Sequence, residues 1–176
     1  MAGISPEALC ALDVEWYGLD ALGQVAVFCS GGTGIVPDFV CADQEKQERL
    51  VELSDELPAN SETVLHFVPS KKNPLPVRVA QGFSGKGFFY YDADDGSRSM
   101  ENICVLQSYY TLRSAPTDPI HVSELPAAMQ ALLREQILPV SDFSQQSVIR
   151  VEHGNAGRRN LKQKRDMPEA FPGSVP

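Results

Sequence analysis

The densest group of side chains that could do chemistry is a run of carboxylates between two predicted strands. Asp92, Asp94 and Asp95 are close neighbours, and Glu101 follows them. A calcium-binding EF-hand loop needs oxygen ligands at positions 1, 3 and 5, glycine at 6 and glutamate at 12. Counted from Asp92, position 5 is a glycine, position 6 a serine and position 12 an isoleucine, so the register fails. The run is interpreted as an acidic hairpin tip, for which a solvated turn, weak cation binding and contact with Lys or Arg of a partner all remain open.

Two glycine-rich segments, residues 30–34 and 82–87, have the composition of phosphate-binding loops. Such a loop follows a buried strand, leads at once into a helix and, in the Walker form, carries Gly-Lys-Ser/Thr. The first segment instead continues through Ile35 and Val36 to Pro37, and in the second Lys86 is followed by Gly87. Both segments are predicted to be turns.

The cysteines and histidines show no spacing that predicts a metal centre or a redox motif. The four cysteines are widely separated: Cys10, Cys29, Cys41 and Cys104. They are expected to be free thiols in a reducing compartment, with no disulfide, metal or cofactor. An enzyme with a site built from dispersed residues, such as His66, His121, Asp94 and Glu101, remains an alternative, because active sites are spatial rather than sequential.

Charge divides the chain into two parts. Residues 1–152 hold ten Lys/Arg and twenty-one Asp/Glu, a balance of −11, whereas residues 153–176 hold five and two, a balance of +3. The predicted organisation is therefore one acidic α+β domain over residues 1–152 and a basic, proline-containing tail over residues 153–176. An acidic body repels nucleic-acid phosphates and attracts basic partners. Neither nucleic acid nor a membrane is expected as a partner.

The carboxylates must be positioned by a sheet, and its clearest element is an opening hairpin. Residues 15–19 and 25–29 are rich in aromatic and β-branched side chains, and the break between them contains Asp20 and Gly23. Trp16 is predicted to anchor the core, the alternative being an exposed Trp-Tyr contact patch. A second hairpin is predicted from residues 87–91 and 103–110. Its consecutive aromatic residues, including Tyr90 and Tyr91, favour a central strand over a Tyr-rich contact surface.

Two helices are predicted to accompany this sheet. One spans residues 43–57, with Asp43 as N-cap, leucines at i, i+3 and i+7, and Pro58 after it. Its outward face carries Glu45, Glu48 and Glu52, interpreted either as a solvated face or as part of a partner-binding surface. The other spans residues 124–138, with Ser123 as its cap and an apolar stripe facing the sheet. Prolines interrupt residues 61–81, so edge strands or an extended loop are predicted there. A last short strand is predicted at residues 148–151.

The opening segment carries a family resemblance. Its pattern consists of Trp16-Tyr17, Leu19-Asp20, Gly23, Val25-Ala26, Phe28, Ser30-Gly31-Gly32, Gly34 and Val36-Pro37. This pattern resembles the N-terminal hairpin of small acidic bacterial proteins, uncharacterised, some of which are similar to immunity proteins of polymorphic-toxin systems. The resemblance spans residues 13–37 and contains no functional motif. It implies a cytoplasmic protein that binds and blocks a toxin domain, usually by occluding a basic active site.

These observations predict a single α+β domain with a mostly antiparallel sheet of about five or six strands and two principal helices on one face. The first residues of the sequence lack the basic region and the long apolar run of a signal peptide, which predicts a cytoplasmic protein. The leading functional hypothesis is a non-catalytic protein-binding module, most specifically an immunity protein. Its predicted partner-binding residues are Asp92, Asp94, Asp95, Glu101, Glu45, Glu48 and Glu52. A structural or scaffold subunit is the remaining alternative.

Overall fold

The computed structural model describes residues 3–4, 6–9, 11–93 and 106–152, and contains one sheet. Its strands are β1 (Glu15–Leu19), β2 (Val25–Cys29), β3 (Thr63–Leu65), β4 (Phe89–Ala93), β5 (Tyr109–Pro116) and β6 (Val148–Arg150). The order is β1-β2-β4-β5-β3, and β6 also pairs with β5. The α+β class is confirmed. The sheet is mixed rather than mostly antiparallel, because β2 and β4 run parallel.

Helices cover both faces of the sheet. They are α1 (Pro6–Leu9), α2 (Asp38–Cys41), α3 (Gln44–Asp55), α4 (Leu75–Ser84) and α5 (Ala127–Leu133). The core on one face includes residues of α3, α4 and α5, and the core on the other includes residues of α1 and α2. The two predicted helices therefore lie on one face, where α4 accompanies them. None of the helices in the described residues is long and apolar enough to cross a membrane.

The opening hairpin is confirmed, and its turn is held by Asp20. That buried carboxylate accepts hydrogen bonds from the backbone N–H groups of Leu22 at 3.0 Å and Gln24 at 2.9 Å. It also accepts one from the N–H of Phe143 at 2.9 Å, which fixes a distant loop to the turn. Trp16 is fully buried and stacks on Phe28, with ring centroids 4.0 Å apart. Trp16 is therefore a core residue, and the alternative of an exposed contact patch is wrong.

The outer edge of β1 is covered by the segment that follows α5. The Leu19 N–H donates to the Gln136 carbonyl at 2.8 Å, and the Leu138 N–H donates to the Leu19 carbonyl at 2.8 Å. A further bond joins the Ala21 N–H to the Val140 carbonyl at 2.9 Å. The Leu19 end of this edge is therefore covered by chain, and covering an edge is one way in which proteins limit association between sheets.

The second hairpin pairs β4 with β5, and β4 is the central strand of the order, as predicted. Tyr90 and Tyr91 are both buried, so they are not available as exposed contacts. The second strand of this hairpin, β5, runs from Tyr109 to Pro116 and so extends beyond its predicted end at residue 110. Residues 103–105 of the predicted strand lie outside the described residues. The turn that follows β5 therefore begins only after Pro116.

Two helices differ from the sequence-based expectation. Residues 75–84 form α4, where edge strands or a loop were predicted, because Pro76 occupies the first turn and breaks no helical hydrogen bond there. The helix predicted at residues 124–138 is only Ala127–Leu133. A separate 3-10 turn, Val122–Glu124, precedes it, and its cap is His121 rather than Ser123.

The glycine-rich segments form turns and no phosphate-binding loop. Gly31 and Gly32 both have positive φ, of 54° and 64°, in a turn that leads into extended chain. In the second segment, residues 82–84 belong to the end of α4 and residues 85–87 form the turn. The turn prediction is therefore confirmed for the first segment and for the latter half of the second.

Candidate protein-binding surface

The predicted acidic helix is built as its sequence pattern indicates. The Asp43 side chain accepts a hydrogen bond from the Lys46 N–H at 3.1 Å, which caps α3. Leu50 and Leu53 are buried against the sheet. Because they anchor one side of α3, the opposite side is held facing solvent.

That side carries a continuous set of exposed carboxylates, which we call the acidic helix face. It consists of Glu45, Glu48, Glu52, Asp55 and Glu56. Two basic side chains offset part of its charge, since Arg49 pairs with Glu52 at 2.7 Å and Lys86 with Asp55 at 3.4 Å. The Glu48 carboxylate accepts a hydrogen bond from the neutral Gln44 amide at 2.8 Å. The three predicted binding residues of α3 therefore lie together on one exposed surface.

Asp92 has a different setting from the one predicted. It lies within β4, not in the hairpin connection, and its side chain is half-buried. The Arg113 Nε lies 3.9 Å from its Oδ2. Side chains alternate across a strand, so Asp92 faces the same side as Tyr90, whose ring packs in the core beneath α3, α4 and α5. Asp92 therefore belongs to the helix-covered face of the sheet rather than to a solvated tip.

The other predicted residues of the hairpin connection, Asp94, Asp95 and Glu101, lie outside the described residues. Of the predicted acidic surface, the structure therefore places Glu45, Glu48, Glu52 and Asp92. It joins the first three on α3 and places Asp92 in the sheet.

Asp92 is part of a row of half-buried polar side chains that the sequence analysis did not identify. The register aligns Glu15 of β1 with Cys29 of β2, Cys29 with Asp92, and Asp92 with Thr111 of β5. Each of these residues is intermediate in exposure. The sequence indicated this polar row only in part. Three of its residues lie near the ends of predicted strands, but no local sequence pattern shows the parallel pairing that aligns them.

Two groups of this row, Glu15 and Cys29, have raised pKa values, which favour their neutral forms. Burial raises the pKa of Glu15 above its ordinary value, although a hydrogen bond donated by the Tyr17 hydroxyl opposes the shift. Burial also raises the pKa of the Cys29 thiol, helped by the nearby Glu15 carboxylate. A raised thiol pKa reduces the thiolate fraction, and the thiolate is the nucleophile and metal ligand. The row therefore supports packing under α3 better than nucleophilic catalysis.

The structure does not join the two histidines of the dispersed-site alternative. His66 is exposed beside β5, and its backbone N–H donates to the Arg113 carbonyl at 2.8 Å. His121 bridges to Gln24 at the β1–β2 turn, and its Nδ1 accepts a hydrogen bond from the Ser123 N–H at 3.1 Å. Within the described ranges, no three His, Cys, Asp or Glu side chains are grouped to hold a metal ion.

A surface groove of about 390 Å³ lies between the β1–β2 turn and α5. Leu22, His121, Arg134 and Ile137 are among the residues that line it. The Asp20 carboxylate at its base is already occupied by three backbone N–H groups. The groove therefore offers one exposed guanidinium and apolar walls, but no free carboxylate.

Comparison with known proteins provides no relative from which function could be transferred. No protein-family model matches the chain, and neither a curated protein nor a solved structure matches it. Function is therefore inferred from geometry and charge.

Proposed function

We propose that this protein is a non-catalytic protein-binding module, most specifically an immunity protein that neutralises a bacterial toxin by covering a basic surface on it. The observation that supports this proposal most directly is the acidic helix face. Four exposed carboxylates lie on one 12-residue helix, and a fifth, Glu56, is its C-cap; the helix is capped at its start and anchored to the core by two leucines. The partner it fits is a protein with clustered Lys and Arg.

The acidic helix face acts mainly on association in this proposal. Charged groups at the rim of an interface steer diffusional encounter, and association between complementary surfaces weakens as salt increases. Because α3 is fixed to the sheet, the backbone that carries the carboxylates needs no ordering when the partner arrives, so less conformational entropy is lost on binding. Asp94, Asp95 and Glu101 are proposed to take part in binding the same partner, while Asp92 lies in β4 beside Arg113.

The test uses the full-length protein and the product of a neighbouring reading frame that encodes a basic toxin domain. The triple variant Glu45→Gln/Glu48→Gln/Glu52→Gln removes three charges without shortening any side chain. We expect stopped-flow association at low salt to slow by about tenfold and to depend less on salt concentration. The dissociation rate and the circular dichroism spectrum should change little.

The matched control is Asp118→Asn/Glu135→Gln/Glu152→Gln, which changes net charge by the same amount at exposed positions outside α3. A general charge effect slows both triple variants equally and contradicts a role for the acidic helix face. An unchanged association rate for the α3 variant would also contradict a role for the acidic helix face. Turnover of a small molecule by the isolated protein would contradict the binding-module proposal as a whole.

A further inference from the structure

The second outer edge of the sheet, formed by β3, is open in the described part of the chain. The Thr117 N–H donates to the Glu62 carbonyl at 3.0 Å, and the His66 N–H donates to the Arg113 carbonyl at 2.8 Å. In an antiparallel pair, hydrogen-bonded and non-hydrogen-bonded residues alternate. The backbone N–H and C=O groups of Val64 therefore bond to β5, whereas the N–H and C=O groups of Thr63 and Leu65 point away from β5.

The register with β5 agrees with this assignment. Thr63 lies opposite Pro116, which has no N–H to give and so suits a non-hydrogen-bonded position. No partner strand covers β3 in the described residues, in contrast to the Leu19 end of β1, which bonds to residues 136–138. Two residues of β3 thus leave four backbone groups directed outward.

Exposed apolar side chains surround this edge. Val64 is 47% exposed, Val68 is 93% exposed and Leu75, at the start of α4, is 62% exposed. Exposed apolar residues near a free strand edge are the combination that strand-adding recognition uses, with main-chain hydrogen bonds for affinity and side chains for selectivity. We call Thr63, Val64, Leu65, Val68 and Leu75 the β3 edge surface.

The charge beside the β3 edge surface is opposite to that of the whole protein. Between Glu62 and Asp92 the sequence has no Asp or Glu, although the chain carries a net charge of −8. Lys71, Lys72 and Arg78 in this stretch are all exposed. The two lysines form the tip of a turn that is closed by the Ser70–Asn73 bridge and lies between β3 and α4.

We infer that the β3 edge surface binds an acidic, extended segment of another protein as an added strand. The free N–H and C=O groups of Thr63 and Leu65 select a peptide backbone, which neither a lipid headgroup nor a nucleic-acid phosphate supplies in a strand geometry. The exposed lysines and Arg78 select negative charge by complementarity. The chain's own residues 153–176 carry a +3 balance and are therefore the wrong occupant. This surface is separate from the acidic helix face, and the inference does not depend on the proposed function.

The test uses the full chain and a fluorescein-labelled peptide of alternating valine and glutamate, with a valine–lysine peptide of equal length as its counterpart. Thr63→Pro removes one outward N–H and places a ring where the added strand would bind, yet it keeps the bonds between Val64 and β5. We expect fluorescence anisotropy to show binding of the acidic peptide that Thr63→Pro weakens by about tenfold or more. Thr63→Val retains the N–H and should bind as the wild type does.

Two further measurements keep the inference testable if Thr63→Pro folds poorly. The double variant Lys71→Glu/Lys72→Glu changes only exposed side chains and should also weaken binding of the acidic peptide. Amide hydrogen exchange followed by NMR should show new protection of the Thr63 and Leu65 N–H groups on peptide addition. The N–H groups of Val64 and His66, already bonded to β5, should change little.

Several results would overturn the inference. They are equal binding of the two peptides, unchanged binding by a folded Thr63→Pro variant, and no peptide binding at all. Binding of anionic vesicles or duplex DNA through Lys71 and Lys72, without peptide binding, would show a charge patch rather than a strand acceptor. Concentration-dependent dimerisation that Thr63→Pro abolishes would assign the edge to a second copy of this chain.

Discussion

The acidic helix face and the β3 edge surface differ in which part of the chain a partner can contact. In the interior of α3 the backbone groups bond within the helix, so recognition there depends on carboxylate side chains. At β3 the backbone itself is available, through Thr63 and Leu65, and the nearby charge is positive. One chain thus carries two surfaces of opposite charge, and the comparison shows that net charge describes only one of them.

The largest expected effect is on the free energy of unfolding, and it compares the residues that support each surface. Leu50→Ala removes a side chain with no exposed area beneath the acidic helix face, whereas Val68→Ala shortens a side chain that is 93% exposed near β3. We expect Leu50→Ala to lower the free energy of unfolding by about 3 kcal/mol through lost burial and a cavity. Val68→Ala should change it by less than about 0.5 kcal/mol. Urea unfolding followed by circular dichroism measures both, and equal losses would mean that α3 is not anchored as described.

The second prediction tests the alternation along β3. Val64→Pro removes an N–H that bonds to β5, whereas Thr63→Pro removes one that points outward. We expect Val64→Pro to be less stable than Thr63→Pro by about 2 kcal/mol, because a ladder hydrogen bond is lost and the ring meets β5. Thermal and urea unfolding of the two variants provide the comparison. The reverse order would show that the register is shifted by one residue.

The third prediction concerns the start of α3. Asp43→Ala removes the side chain that accepts from the Lys46 N–H, and should cost about 1 kcal/mol in the free energy of unfolding. Glu45→Ala, two residues on, removes a carboxylate that makes no cap and should cost less than about 0.5 kcal/mol. Equal values for the two variants would argue against Asp43 as the N-cap. Urea unfolding in matched buffers gives both numbers.

The smallest effect is expected beneath the acidic helix face. Lys86 pairs with Asp55 of the acidic helix face, and both influence the Glu15 carboxyl beneath them. Burial raises the pKa of Glu15 above its ordinary value of 4.5, so the folded protein holds this proton more tightly than the unfolded chain does. The free energy of unfolding therefore falls as pH rises from the ordinary carboxyl range to the raised folded-state pKa.

Glu15→Gln keeps an acceptor for the Tyr17 hydroxyl but cannot ionise, so its stability should not fall across that pH range. Urea unfolding at a series of pH values measures the difference between the two proteins. Glu135→Gln, at an exposed position outside the polar row, is the control. Parallel curves for wild type and Glu15→Gln would contradict the assigned direction of the shift.

The sequence predicted those elements whose signals are local. Asp43, the spaced leucines and Pro58 delimited α3, and Asp20 with Gly23 marked the first turn. The prediction of α4 failed because Pro74 and Pro76 were interpreted as strand interruptions, although proline is compatible with a helix start. The extent of β5 was missed because proline ordinarily marks a turn or the end of a strand, whereas Pro116 occupies a position where no N–H is required.

The candidate surfaces were predictable to different degrees. Glu45, Glu48 and Glu52 share one helix, so their spacing alone places them together. Asp92 was assigned to a tip because nothing near it in sequence shows that Cys29 lies beside it. The free groups of Thr63 and Leu65 depend on pairing with β5, some fifty residues later, and so could not be deduced from residues 63–65 alone.

The parallel pairing of β2 with β4 has a consequence for how the chain folds. Ala26 lies opposite Phe89, so this contact must close a loop of about 60 residues, whereas the β1–β2 hairpin closes one of about five. Closing a longer loop costs more chain entropy, and distant contacts slow folding. The two hairpins are therefore expected to form before the sheet is joined at its centre. Pulse-labelling hydrogen exchange during refolding should show amides of β1 protected earlier than those that bond β2 to β4.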